Sequence, residues 1–346
     1  MIVINKRFVF IDYAKAAGII LVCLGHFLRN GLAVKTALYC FHVPLFFVVS
    51  GFLFKTEPPK PWAYIGKNTK RLLIPYCGWF AVAVLRYLPS ISKKRVKSLI
   101  IDFFMLDGLP VWNQPIWFIP VFFTAAALFC LVLYGLRKRE DKTKNLCVAV
   151  LTVVCFGAAV LCDRMGMTKV PFGFNKSVMM LGYVCIGYLL RRFFEQKGIG
   201  QYTREKKVKS AAVCLAVFIV FFVVAAVLNR GDNISVMSCD FNNILLYIPL
   251  SVIGSCAFLM IFLPAKHSRF ISLVSSSTIF LMGSHYFLRF WWRNTMPDTM
   301  AFDVLGGILA TALLIGLCWV LERLARSNHR KAAIPAGWLG FVPTKE

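Results

Sequence analysis

Runs of apolar residues, each about as long as a membrane-spanning helix, recur along the whole chain. They fall at about 8–28, 36–54, 72–89, 116–136, 145–162, 174–190, 210–228, 242–263, 272–292 and 302–321. Within each run the apolar positions are continuous rather than alternating, which predicts helices and not the strands of a barrel. Only those two architectures satisfy the backbone in hydrocarbon. The predicted fold is therefore all-α: one polytopic integral membrane domain over residues 1–346 with about ten transmembrane helices. The stretch Leu99–Leu106 is too short to span and is expected to lie along the interface. The first run ends in Gly25-His26-Phe27 and not in a small-residue cleavage site, so it reads as an uncleaved anchor.

Composition narrows the class. Hydrophobic residues make up 59% of the chain and charged residues 16%, against about 25% charged in an average soluble domain. Mean hydropathy is +0.70. Disorder, collagen-like repeats and an ordinary soluble enzyme are excluded. The 12 cysteines form no CxxC pair, and most lie within apolar runs, as small buried hydrophobes do.

The net charge of +25 would suggest nucleic acid in a soluble protein. In a membrane protein it reads instead as basic loops facing anionic lipid, so lipid is an expected partner and nucleic acid is not. The basic residues concentrate in alternate loops: Lys55, Lys60, Lys67, Lys70 and Arg71; Arg137 to Lys144; Arg191 to Lys209; Lys266 and Arg269; and the C-terminal tail. This asymmetry predicts both termini in the cytoplasm. Lys93, Lys94, Arg95 and Lys97 run against it. Trp112, Trp117, Trp291 and Trp292 fall near the opposite boundaries, where an aromatic belt is expected.

Ionisable residues inside an apolar span are functional candidates. The first span carries Asp12, Lys15 and His26. Lys15 and His26 are eleven positions apart, which puts them on one helix face and about 16 Å apart along the axis. Asp12 precedes Lys15 by three residues and can pair with it. His42 on the second span and His285 on the ninth fall at a depth similar to that of His26. Each lies on a different span, and no HxxxH or HExxH spacing occurs, so no metal site is expected. A single imidazole with an orienting partner suffices for general-base chemistry.

These residues resemble the acyltransferase-3 family of integral membrane acyltransferases. Ile11 to Ala16 followed by Val22 to His26 is similar to the family's first helix, where a basic residue precedes a His by eleven positions. Many members have Arg at this position; this chain has Lys15, as members of the fucose acetylase-like branch that modifies polysaccharides often do. Phe41-His42-Val43-Pro44-Leu45-Phe46-Phe47 leading to Ser50-Gly51-Phe52 resembles the second-helix run. Lys67, Lys70 and Arg71 before Leu72-Leu73-Ile74-Pro75-Tyr76 resemble the start of the third. Trp117-Phe118-Ile119-Pro120, Gly182-Tyr183, Gly187 to Arg191, and Ser277-Thr278-Ile279 before His285 resemble later motifs in family order.

The resemblance implies a transmembrane acyltransferase over the whole chain, in a bacterial cytoplasmic membrane. It would move an acyl group, expected to be acetyl, from cytosolic acyl-CoA to a hydroxyl of a cell-surface glycan or glycolipid precursor. His26 would be the general base or acyl carrier, and His42 or His285 would orient it or stabilise the oxyanion. Lys15, Lys67, Lys70 and Arg71 would contact the donor. Asp12, Ser50 and Trp117 would contact substrate. Acetyl-CoA is the expected donor and no metal is expected. The rival expectation is a non-enzymatic exporter, flippase or substrate-handling module of a glycan-assembly or resistance system.

Overall fold

The computed structural model describes residues 8–28, 32–87, 93–105, 111–168, 170–229, 234–327 and 334–344. In chain order the helices are α1 (Val9–Phe27), α2 (Ala33–Leu53), α3 (Pro61–Asn68), α4 (Ile74–Tyr87), α5 (Lys93–Met105), α6 (Phe118–Gly135), α7 (Asp141–Arg164), α8 (Phe174–Gln196), α9 (Arg204–Leu228), α10 (Ile244–Ile261), α11 (Arg269–Ser276), α12 (Thr278–Thr295), α13 (Met300–Arg326) and α14 (Ile334–Trp338). Among the described residues there is no strand, only an isolated bridge between Ser235 and Asp240.

Among the described residues, eight helical units are long and apolar enough to cross a membrane: α1, α2, Asn113–Gly135, α7, Pro171–Gln196, α9, α10 and α13. A ninth arises if α11 and α12, bent by 72° at the Ser277 break, are one broken span. The described residues thus supply eight or nine of the expected spans, in keeping with an all-α polytopic membrane protein. The difference lies at 72–89. There the helix is divided, and α4 by itself has 14 residues, about 21 Å. It continues from α3 through a π-helical turn, Thr69–Leu73, and the last two expected positions lie outside the described residues. Of the Leu99–Leu106 stretch, residues 99–105 form the second half of α5, whose 13 residues are too few to span, and Leu106 lies outside the described residues.

Burial sorts the helices. In α2, 78% of the most apolar window is buried, against 17% in α9, 22% in α7 and 28% in α13. α2 is therefore the central helix. α7, α9 and α13 instead present Val, Leu and Ile to their surroundings, as lipid-facing helices do. α2 packs along α8 and α10, and α1 is clasped by α2, α11, α12 and α13.

The closest approach is α2 against α8. A Cβ on Gly51 would collide with the Val184 carbonyl, and one on Gly187 with the Val48 carbonyl. Each glycine lets the partner backbone in, as small residues do between membrane helices. The Ser-Gly-Phe and Gly-Tyr-Leu-Leu-Arg motifs therefore have a packing role. The second also supplies Arg191, whose Nη1 donates to Phe52 O at 3.3 Å and whose guanidinium covers the Phe8 ring at 4.6 Å. Beside it, Arg192 ties α8 to Asp141 of α7 at 2.5 Å and to Thr56 at 2.7 Å.

The C-terminal segment is more than the basic tail the sequence suggested. Trp79 Nε1 donates to Leu339 O at 2.8 Å, Phe341 is buried, and Arg326 Nη2 donates to Thr344 Oγ1 at 2.7 Å. These contacts fasten residues 334–344 onto α4 and α13.

Candidate active site

A helix ends in backbone carbonyls that lack intrahelical partners and carry partial negative charge. The C-terminus of α1 meets this need with three cations from other elements. Arg289 Nε donates to His26 O at 2.5 Å. Arg293 Nη2 donates to Phe27 O and Leu28 O at 3.1 and 3.2 Å. Lys35 Nζ donates to Leu28 O at 2.9 Å. These bonds fix the last turn of α1, and with it His26, against α2 and α12.

His26 faces a cavity of about 360 Å3 whose other lining residues include Lys35, Thr36, Tyr39, His42, Gln114, Trp117, Ser235, Ser238, Asp240, Tyr286 and Arg289. That volume falls in the range of small-molecule sites. Tyr39 Oη lies 3.0 Å from His26 Nδ1, and its ring packs edge-on against both His26 and His42. Tyr286 packs edge-on against His26 and donates its hydroxyl to Gln114 Oε1 at 2.8 Å, leaving the Gln114 amide NH2 for a ligand.

The tautomers of the other two histidines follow from their partners. His42 Nδ1 lies 2.6 Å from Leu38 O, and His285 Nδ1 lies 3.0 Å from Leu281 O. A carbonyl can only accept, so in each neutral ring Nδ1 carries the proton and Nε2 holds the lone pair. Neither neutral ring can offer an Nε2–H to an oxyanion. His285 is fully buried, its ring centroid is 5.0 Å from that of His26, and its Nε2 has no hydrogen-bond partner. Its ring packs beside that of His26.

Of the residues singled out in the sequence, the fold brings His26, His42, His285 and Trp117 together. Trp117 is 6% exposed in the cavity wall, so it does not form part of a lipid-facing belt. Trp292 also turns inward, against Gly306 and the Phe302 carbonyl, whereas Trp291 is exposed. The Trp112 side chain lies outside the described residues.

Asp12, Lys15 and Ser50 do not line the cavity. Along their helices Lys15 lies about 16 Å and Asp12 about 21 Å from His26, and Ser50 lies about 12 Å beyond His42. Asp12 accepts from Ser275 Oγ of α11 at 2.9 Å. Lys67, Lys70 and Arg71 are exposed on α3 and the π turn. Among the described residues no cluster of three or more His, Cys, Asp or Glu is arranged to hold a metal ion.

The sequence pattern of the acyltransferase-3 family, described as an acyltransferase domain, matches residues 8–323. The chain belongs to the acyltransferase-3 family. It is a multi-pass membrane acyltransferase, and the matched region contains every residue of the cavity just described. No curated protein and no solved structure matches the chain.

The sequence reading passed over several residues that line this acyltransferase's cavity or brace its wall. Arg289 lies within the expected span 272–292 and met the criterion of an ionisable group in a span. Lys35, at the edge of its run, resembled an ordinary interfacial cation. Tyr39, Gln114 and Tyr286 carried no pattern that separates a site residue from a packing one.

Proposed function

We propose that this acyltransferase O-acetylates a hydroxyl of a cell-surface glycan or glycolipid precursor, using acetyl-CoA from the cytosol. In this reading it sits in a bacterial cytoplasmic membrane with both termini inside, as the loop charges favour. The observation that carries it is the grouping of His26, Tyr39 and His285 beside a polar cavity of sugar-ring size.

The chemistry follows from the proton positions. With His26 Nδ1–H donating to Tyr39 Oη, Nε2 is free to take the acceptor's hydroxyl proton. The acceptor oxygen then attacks the thioester carbonyl, forming the C–O bond. The oxyanion takes an N–H from Gln114, whose amide is oriented by Tyr286. Collapse breaks the C–S bond, and His26 returns its proton to the departing thiolate, giving the acetyl ester and free CoA. His285, whose ring lies 5.0 Å from that of His26 between centroids, holds the imidazole in place and acts as a positioning residue.

The donor must reach His26 from the opposite end of the bundle, where Lys67, Lys70 and Arg71 surround the π turn. Such turns recur at functional sites, and exposed cations there suit CoA phosphates. Replacing all three with Gln is expected to raise the KM for acetyl-CoA about tenfold or more and to leave the acceptor KM unchanged. This follows from about 1.5–3 kcal/mol per charge-assisted contact. Initial rates at varied donor concentration check it, and unchanged donor kinetics would reduce these residues to anchors of topology.

The function itself is tested with purified protein in nanodiscs, acetyl-CoA and a panel of glycans. Release of CoA that depends on the glycan, with matching ester formation, is expected. CoA release without an ester on any hydroxyl acceptor would refute it.

A further inference from the structure

We propose that Arg289, supported by Lys35, forms an anion site in the cavity, so that the acceptor carries a carboxylate or phosphate beside the hydroxyl that is acylated. This rests on the cavity being the acceptor site.

The inference starts from how Arg289 is used. A guanidinium has five N–H donors and no acceptor. Arg289 spends one, Nε, on the His26 carbonyl and lays its plane over the Tyr286 ring at 4.7 Å. Among the described residues neither Nη group has a hydrogen-bond partner, and the side chain lines the cavity. A half-buried guanidinium with its paired Nη donors unused is shaped for a bidentate anion. The Nε bond to the α1 terminus and the stacking on Tyr286 hold the fork in place, which lowers the entropy lost on binding.

The charges around it favour the same sign of ligand. Arg293 and Lys35 join Arg289 at the α1 terminus, and Lys35 also lines the cavity. The acidic group facing Arg289 and Lys35 from the packed helices is the buried Asp303 of α13. Asp240, on the cavity's loop wall, is exposed and forms no ion pair with Arg289 among the described residues. Arg289, Arg293 and Lys35 against Asp303 and the exposed Asp240 leave a net positive charge at this end of the site. His26 and Arg289 are joined through the His26 carbonyl, so an anion held by the fork places a neighbouring hydroxyl near the imidazole.

The test uses the full-length protein in nanodiscs with three probes: methyl glucuronide, its neutral counterpart methyl glucoside, and inorganic phosphate. For the wild type we expect a saturable, concentration-dependent rise in Tm with methyl glucuronide, phosphate or both, and none with the glucoside. A response to phosphate alone assigns the anion to a phosphorylated acceptor, and a response to the glucuronide alone to an acidic sugar. In Arg289→Gln these rises should vanish. In Arg289→Lys, which keeps the charge and can still reach the His26 carbonyl, they should survive in weakened form. That variant separates loss of the site from loss of the fold.

Where the glucuronide raises the Tm, its KM in transfer assays should lie about tenfold or more below that of the glucoside, a preference that Arg289→Lys reduces while the acetyl-CoA KM stays constant. Four outcomes overturn the proposal. The wild type responds to neither anion; the glucuronide raises the Tm yet is transferred with the KM of the glucoside; the acetyl-CoA KM shifts in Arg289→Lys, which would assign the cations to the donor; or kcat falls equally for both acceptors with KM unchanged. Anion binding without transfer to any glycan would instead count against the proposed function and leave the anion site standing.

Discussion

His26→Ala is expected to slow acyl transfer by about 10²–10⁴-fold, the contribution of a positioned general base, while the protein folds and inserts normally. The structure gives a reason for the separation. The capping bond from Arg289 runs to the His26 backbone carbonyl and not to the imidazole. Alanine keeps that carbonyl, so α1 stays tied to α12. The lost side chain makes one bond, to Tyr39 Oη, and a neutral hydrogen bond contributes about 0.5–1.5 kcal/mol.

Tyr39→Phe sets an internal scale for this prediction. It removes the same hydrogen bond but leaves the base, so its rate should fall by about tenfold at most. Single-turnover transfer, with Tm and acetyl-CoA binding measured alongside, distinguishes the variants. If His26→Ala turns over at near wild-type rate, the base lies elsewhere. His42, which also lines the cavity and whose Nε2 holds a lone pair, would then be the next candidate.

Gly187→Leu is expected to give the largest effect on the fold. The atoms nearest a new Cβ are the Val48 carbonyl and the Phe52 nitrogen, all backbone, and backbone cannot rotate away as a side chain can. Gly51 meets the Val184 carbonyl and the Tyr188 nitrogen in the same way, so the two helices touch reciprocally. Overpacking a core with side-chain neighbours costs about 1–3 kcal/mol. Here α2 and α8 must separate, which opens the most buried part of the bundle and exceeds that range. We expect no monodisperse protein after detergent extraction.

Gly157→Ala and Gly316→Ala are the controls. A Cβ at either position meets nothing within 4 Å, and alanine favours a helix interior by about 1 kcal/mol over glycine. Both should extract normally and melt at or slightly above the wild-type temperature. Gly187→Leu behaving like them would mean that the helices do not cross so closely.

Much of the architecture could be read from the sequence because its cause is local. A run such as Ala211 to Leu228 is apolar at nearly every position, and in hydrocarbon only a helix satisfies its backbone. The run 72–89 was read by the same rule. It has the required hydropathy, but the chain enters it through a π turn and a short amphiphilic helix, and α4 has 14 residues. The break at Ser277, which bends α11 from α12 by 72°, also left no mark in hydropathy.

The site was legible only in part. His26, His42 and His285 stood out because imidazoles are rare in apolar spans, and their common depth could be counted off in residues. Asp12 and Lys15 stood out by the same rule yet sit toward the other end of α1, with Asp12 bound to Ser275. Rarity marks a residue as used but does not say what it faces.

The sequence by itself determined the solvent of this protein, its helical class, the order of its spans and its family, since each depends on residue types and spacings along a continuous stretch. Only the tertiary structure decided which polar groups meet. Tyr39, Gln114, Tyr286 and Arg289 join His26 from three other segments, and no pattern within any one of them records the others. Their convergence is set by how closely the helices pack, through contacts such as Gly51 on Val184 and Gly187 on Val48. It is set as well by the unsatisfied carbonyls at the end of α1, which draw Lys35, Arg289 and Arg293 to one place.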